Sequence, residues 1–117
     1  MDFQYKIEEY KGLIIVELSG NLLAIETSKK LIDELTEHIK NEKANIILDL
    51  GKMNNLNSSG LNVFIQLLTK ARNAGGDVIV TNVSQKINKL LVITKLNTVF
   101  SVAESKEIAM NELVNLI

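Results

Sequence analysis

The 117 residues contain no cysteine, no proline and no tryptophan, and histidine occurs once, at His38. Without Cys there is no disulfide framework, no thiol nucleophile and no Cys-built zinc site, and a lone His does not supply His-based metal or triad chemistry. Aromatic residues make up only 4% of the chain. Phe3, Tyr5, Tyr10, Phe64 and Phe100 are not interleaved with bases as a stacking platform for nucleic acid requires. The net charge of −1 provides no global field to recruit a polyanion or an anionic membrane. No apolar run approaches the length of a membrane span, so no membrane insertion is expected. The start, Met1-Asp2-Phe3-Gln4-Tyr5-Lys6, lacks the basic region and apolar stretch of a secretory signal, which makes a cytoplasmic location the expectation. Nothing in the composition calls for a cofactor.

What is present is an ordinary balance of 46% apolar and 23% charged residues, enough for one core and one domain spanning residues 1–117. The charge is unevenly spread: residues 1–42 carry nine acids and five bases, whereas residues 43–103 carry two acids and seven bases. The bases of the middle are spaced along the chain, which reads as scattered solvated lysines rather than a binding patch.

Phe3, Tyr5 and Ile7 alternate with polar neighbours, the period of a strand with one buried face. Leu13 to Leu18 is a second strand, joined to the first as an antiparallel hairpin through Tyr10-Lys11-Gly12. From about Ile25 to Asn41, Leu31, Ile32, Leu35 and Ile39 recur at helical spacing, with Thr27 or Ser28 as the candidate cap and Asn41 at the end. Ile46 to Leu50 is almost continuously apolar, as a strand covered on both faces must be. A second helix carries Leu61, Phe64, Ile65, Leu68 and Ala71 and stops at Gly75-Gly76, where a left-handed C-cap is cheapest. Asp77 to Thr81 is a buried strand, Ser84 caps a third helix, Val99 to Val102 is a short strand, and Glu104 to Leu116 is a terminal helix. The order β-β-α-β-α-β-α-β-α predicts an α/β fold: a mixed sheet, antiparallel at the N-terminal hairpin and otherwise largely parallel, covered by about four helices.

The stretch with chemical content is Gly51-Lys52-Met53-Asn54-Asn55-Leu56-Asn57-Ser58-Ser59-Gly60-Leu61, between the central strand and the second helix. Asn57, Ser58 and Ser59 are all N-cap residue types, and capping alone explains short polar residues at this place. The same geometry also suits an anion, because free N–H groups and the positive end of the helix dipole stabilise negative charge, including a phosphate carried by a serine. No phosphate-binding loop, paired metal-binding carboxylates or adjacent histidine accompanies the serines, so any kinase must be another protein.

At these residues the chain resembles the STAS domains, and within them the single-domain anti-sigma factor antagonists of bacterial partner-switching systems. The resemblance spans essentially the whole chain and rests on Leu18-Ser19-Gly20-Asn21-Leu22, Ile47-Leu48-Asp49-Leu50, Asn57-Ser58-Ser59-Gly60-Leu61, Gly75-Gly76, and Thr94-Lys95-Leu96 ahead of Phe100. It implies a STAS fold and a non-enzymatic regulator that binds an anti-sigma factor serine kinase and so releases a sigma factor. In that family the serine after an aspartate in a D-[ST]-[ST]-G-L pattern is phosphorylated by the kinase, which ends binding, and is restored by a PP2C-type phosphatase. Ser58 occupies that position, with Ser59 as the alternative acceptor, and Leu22, Leu23, Asn57, Ser58, Ser59, Gly60 and Leu61 form the implied partner-binding set. Two positions depart from the family: Asn57 replaces the usual Asp, and Leu23 stands where an acid is frequent. Both remove negative charge beside the hydroxyl, which lessens repulsion of a phosphate but also removes a group that an enzyme can use to orient it.

Those departures keep a second reading open, a constitutive STAS binding subunit docked on the ATPase of a lipid-transport ABC system. A nucleotide-binding enzyme of flavodoxin-like appearance is disfavoured, since no glycine-rich loop follows a strand. His38 lies at the edge of an apolar helix face and reads as boundary packing rather than a ligand. The run Leu22-Leu23-Ala24-Ile25 reads as leading into the core ahead of the first helix, in preference to an exposed docking patch.

Overall fold

In a computed structural model that describes residues 2–114, five strands and four helices follow in the order read from the sequence. The elements are β1 (Gln4–Tyr10), β2 (Leu13–Leu22), α1 (Lys29–Lys40), β3 (Asn45–Leu56), α2 (Ser58–Asn73), β4 (Asp77–Thr81), α3 (Gln85–Ile93), β5 (Ser101–Ala103) and α4 (Lys106–Val114). The sheet order is β1-β2-β3-β4-β5, with β1 antiparallel to β2 and every other neighbour parallel.

Continuous apolar runs in β2, β3 and β4 have their physical reason in two covered faces. On one face Ile14, Val16, Leu18, Ile46, Leu48, Leu50, Val78 and Val80 join Leu31 and Leu35 of α1, Phe64 and Leu68 of α2, and Ile87 and Leu91 of α3 in the main core. On the other, Leu13, Ile15, Ile47, Ile79 and Ala103 are covered by Ala109 and Leu113 of α4. β1 is the edge strand and, with Phe3 just ahead of it, contributes a single half-buried row of Phe3, Tyr5 and Ile7.

Several boundaries differ from expectation. β2 runs to Leu22, and β3 continues through residues read as a connection, because Ser19, Gly20, Asn21 and Leu22 pair with Lys52, Met53, Asn55 and Leu56 across two register irregularities. Backbone pairing with a neighbour outweighs the polar side chains there, a long-range effect that local periodicity does not carry. The helix expected from Ile25 begins with a 3-10 turn over Ile25–Ser28 before α1 proper. Neither Thr27 nor Ser28 caps it: their hydroxyls donate instead to the carbonyls of Ala24 and Ile25, at 2.8 and 2.7 Å. α1 does end before Asn41, whose N–H reaches the carbonyls of Glu37 and His38. Val99 and Phe100 lie outside β5, and the Phe100 N–H closes a turn onto the Leu96 carbonyl. α4 starts at Lys106, with the Ser105 hydroxyl accepting from Ile108 N–H, and Leu116 lies outside the described residues.

Two caps are as read. Ser84 accepts from the Ile87 N–H at 3.2 Å. After α2 the amides of Gly75 and Gly76 bond the carbonyls of Arg72 and Ala71, with Gly75 at φ +86°, the paired pattern of a Schellman motif.

Candidate functional site

The C-terminal ends of β2 and β3 lie side by side, Leu22 against Leu56, and α2 begins two residues later. Its first turn sits directly on those strand ends. A Cβ added to Gly60 would come within 2.3 Å of the Leu22 carbonyl oxygen and 2.5 Å of a Leu56 methyl carbon, so only glycine lets the helix approach this closely. Leu61, 1% exposed, anchors the same turn in the core.

Asn57 is the N-cap, in extended backbone, and its Oδ1 accepts from the Gly60 N–H at 3.0 Å. The Leu61 N–H is taken by the Asn57 carbonyl. This leaves the Ser58 and Ser59 amides at the positive end of the helix, whose first turn contains no acid. The Nδ2 of Asn57 donates to the Leu23 carbonyl at 3.1 Å, tying the segment after β2 to the helix start. An aspartate would cap equally well but has no donor for that carbonyl, so Asn57 exchanges a negative charge for a structural tie.

Ser58 is exposed and its hydroxyl makes no hydrogen bond among the described residues; Ser59 is half-buried. The capping role thus falls on Asn57 alone. Of the seven residues in the implied binding set, Leu23, Asn57 and Ser58 are at the surface. Leu22, Gly60 and Leu61 are buried and support the site from below. The run from Leu22 to Ile25 divides correspondingly. Leu22 enters the core at 0% exposure, whereas Leu23 and Ile25 stand 48% and 40% exposed, so the expectation that the whole run leads inward holds only for its first residue.

One neighbouring group was not legible in the sequence. Asn55 donates to Asn21 Oδ1 at 2.9 Å and accepts from the Lys86 ammonium, placing a cation from the first turn of α3 beside the end of β3. Nothing in local spacing links Lys86 to Asn55; parallel pairing of β2 with β3 and the return of the chain through α3 bring them together. Three further bases of the middle segment, Lys43, Lys52 and Arg72, pair with Glu9, Glu17 and Asp77. Among the described residues no group of three or more His, Asp or Glu side chains is placed to hold a metal ion, and no helix is long and apolar enough to cross a membrane.

The family model of the STAS domain matches residues 4–109. The chain belongs to the STAS family. An anti-sigma F factor antagonist from Paenibacillus polymyxa is 28% identical over 114 residues, covering 97% of each chain. The crystal structure of an anti-sigma factor antagonist from Mycobacterium paratuberculosis superposes with a TM-score of 0.81 at 18% identity, over 96% of this chain and 94% of that one. The STAS fold is also shared with SpoIIAA from Bacillus, whose structure in the phosphorylated form gives a TM-score of 0.74 at 17% identity, covering 93% of this chain and 98% of that one. Its unphosphorylated form gives 0.73 at 16%, over 98% and 99% of the two chains. In this STAS chain the turn seated by Gly60 and capped by Asn57 lies within the residues that the family model matches.

Proposed function

We propose that this STAS protein is an anti-sigma factor antagonist: its unphosphorylated form binds an anti-sigma serine kinase and releases a sigma factor, and phosphorylation of Ser58 ends that binding. The observation that carries the reading is the Ser58 hydroxyl, exposed and without a hydrogen bond among the described residues at the first residue of α2, while Asn57 caps the helix, Gly60 and Leu61 are buried and Ser59 is half-buried. The names of the relatives support the antagonist role, and SpoIIAA, which shares the fold, exists in both phosphorylated and unphosphorylated forms.

The chemistry follows from the position. The kinase transfers a phosphoryl group to the Ser58 hydroxyl, adding about −1.5 to −2 charges at neutral pH. The free amides and dipole of α2 tolerate that charge within the protein, so the fold survives. The docked partner does not tolerate it: Leu23 and Ile25 provide the apolar contact beside Ser58, and a hydrated dianion between the two surfaces carries a desolvation penalty that binding cannot offset. A PP2C-type phosphatase resets the switch, and these partners place the protein in the cytoplasm.

The test is capture of partners from cells with wild type, Ser58→Ala and Ser58→Asp, combined with mass spectrometry of the serine peptide. Ser58→Ala is expected to retain the kinase and Ser58→Asp to lose it, with phosphate on Ser58 of the wild type. Retention of every partner by Ser58→Asp together with no phosphopeptide overturns the switch; co-purification of an ABC ATPase insensitive to Ser58 assigns the protein to the constitutive subunit class.

A further inference from the structure

Among the described residues β1 is an edge strand, paired with β2 on one side only and without a bulge, from Gln4 opposite Ser19 to Tyr10 opposite Leu13. Natural edges are commonly blocked by proline, a bulge, shortness or charged side chains, and the charges of β1, Lys6, Glu8 and Glu9, are of both signs and so do not repel every register. This chain has no proline, the register is continuous, and the strand is seven residues long. The turn decides which backbone groups face outward. Lys11 and Gly12, at φ 50° and 82°, form a two-residue left-handed hairpin turn, which makes Tyr10 and Leu13 a hydrogen-bonded pair. By alternation Glu8 with Ile15 and Lys6 with Glu17 are bonded too, so the N–H and C=O groups of Tyr5, Ile7 and Glu9 point to the free edge.

We propose that this edge pairs antiparallel with β1 of a second copy of the chain about a two-fold axis at Ile7, joining two five-stranded sheets into one. In that register the outward-facing residues meet each other, Ile7 opposite Ile7 and Tyr5 opposite Glu9 twice, which supplies about six backbone hydrogen bonds. On the other face of the ribbon Lys6 stands opposite Glu8, also twice, in the closely spaced pairs where opposite charges attract best. Sliding the partner by two residues in either direction sets Lys6 against Lys6 or Glu8 against Glu8, so the charges select the centred register. An open groove of about 530 Å³ lined by Phe3, Gln4, Tyr5, Ile7, Lys30 and Glu34 borders the same edge and leaves room for the second copy's side chains beside α1. The two-fold axis reverses strand direction, so the two Ser58 sites lie at opposite ends of the joined sheet and neither is covered. The inference is therefore independent of the sigma-control reading.

Sedimentation velocity of the full chain up to millimolar concentration tests it. Wild type is expected to dimerise, and Lys6→Glu or Glu8→Lys to raise the dissociation constant about tenfold or more, by converting two attractive pairs into two repulsive ones. The double variant Lys6→Glu with Glu8→Lys restores the pairs in exchanged positions and is expected to dimerise like wild type. Both positions are exposed, and Glu8 faces uncharged Ile15 across its own hairpin, so circular dichroism of Glu8→Lys is expected to be native and this variant decides the single-variant arm, whereas Lys6→Glu, alone or in the double variant, also sets a carboxylate opposite Glu17 within the chain. A wild type that stays monomeric, a Glu8→Lys variant that dimerises undiminished, or a natively folded double variant that does not recover each overturns the proposal.

Discussion

Asn57 and Tyr5 show how single side chains act in this protein. Asn57 Oδ1 caps α2 while Nδ2 holds the Leu23 carbonyl. Asn57→Ala is expected to lower the unfolding free energy by about 1 kcal/mol, measured by urea denaturation. Asn57→Asp keeps the cap and adds favourable charge at the helix start, but places an oxygen against the Leu23 carbonyl; hydrogen exchange of residues 24–28 is expected to accelerate while global stability changes little. Tyr5 donates its phenolic hydrogen to Glu34 at 2.8 Å. Burial first, then that hydrogen bond and the Glu34 charge, push its pKa from 10.0 up to about 12. The folded state thus favours the neutral phenol: the stabilisation is complete below pH 10 and is lost as pH rises through about 12. Tyrosinate absorbance titrated in wild type minus Tyr5→Phe is expected to isolate one group ionising near 12.

At the scale of elements, α2 is set by a glycine at each end for opposite reasons. Gly60 has negative φ but no space, since a Cβ would meet the Leu22 carbonyl at 2.3 Å. Gly75 has open space around it but φ +86°. Gly60→Ala must move the helix off the strand ends, with an expected cost of about 3 kcal/mol and a displaced Ser58. Gly75→Ala strains only the backbone, about 1–2 kcal/mol, and leaves the site in place. Denaturation of both variants, compared with amide chemical shifts at Ser58 and Ser59, separates these effects: both are destabilised, but only Gly60→Ala shifts the site. α3 contributes differently, by bringing Lys86 to Asn55 across the end of the sheet.

For the whole molecule, the expected consequence is that fold and switch are separable. Ser58 is exposed, outside both cores and at a helix start that accepts negative charge, so Ser58→Asp is expected to unfold within about 0.5 kcal/mol of wild type while losing its partner. Denaturation and partner capture of the same preparation check this. Much of the architecture was legible in the residues because it follows from local rules: the alternation of Phe3, Tyr5 and Ile7, the unbroken Ile46 to Leu50, the stripe through Leu61, Phe64 and Leu68, and the caps at Ser84 and Gly75-Gly76 each report a short-range preference. Where short-range and long-range terms compete, the sequence was silent. Met53 and Asn55 lie within a strand because β2 supplies their pairing partners, Thr27 and Ser28 turn to nearby carbonyls instead of capping, and Leu23 stays at the surface while Leu22 is buried. The sequence by itself determined the element order and the serine at the start of a helix, because periodicity and capping are properties of neighbouring residues. Only the tertiary structure decided which part of that segment a partner can touch and that β1 has an open side, because burial and strand edges depend on what lies across the sheet.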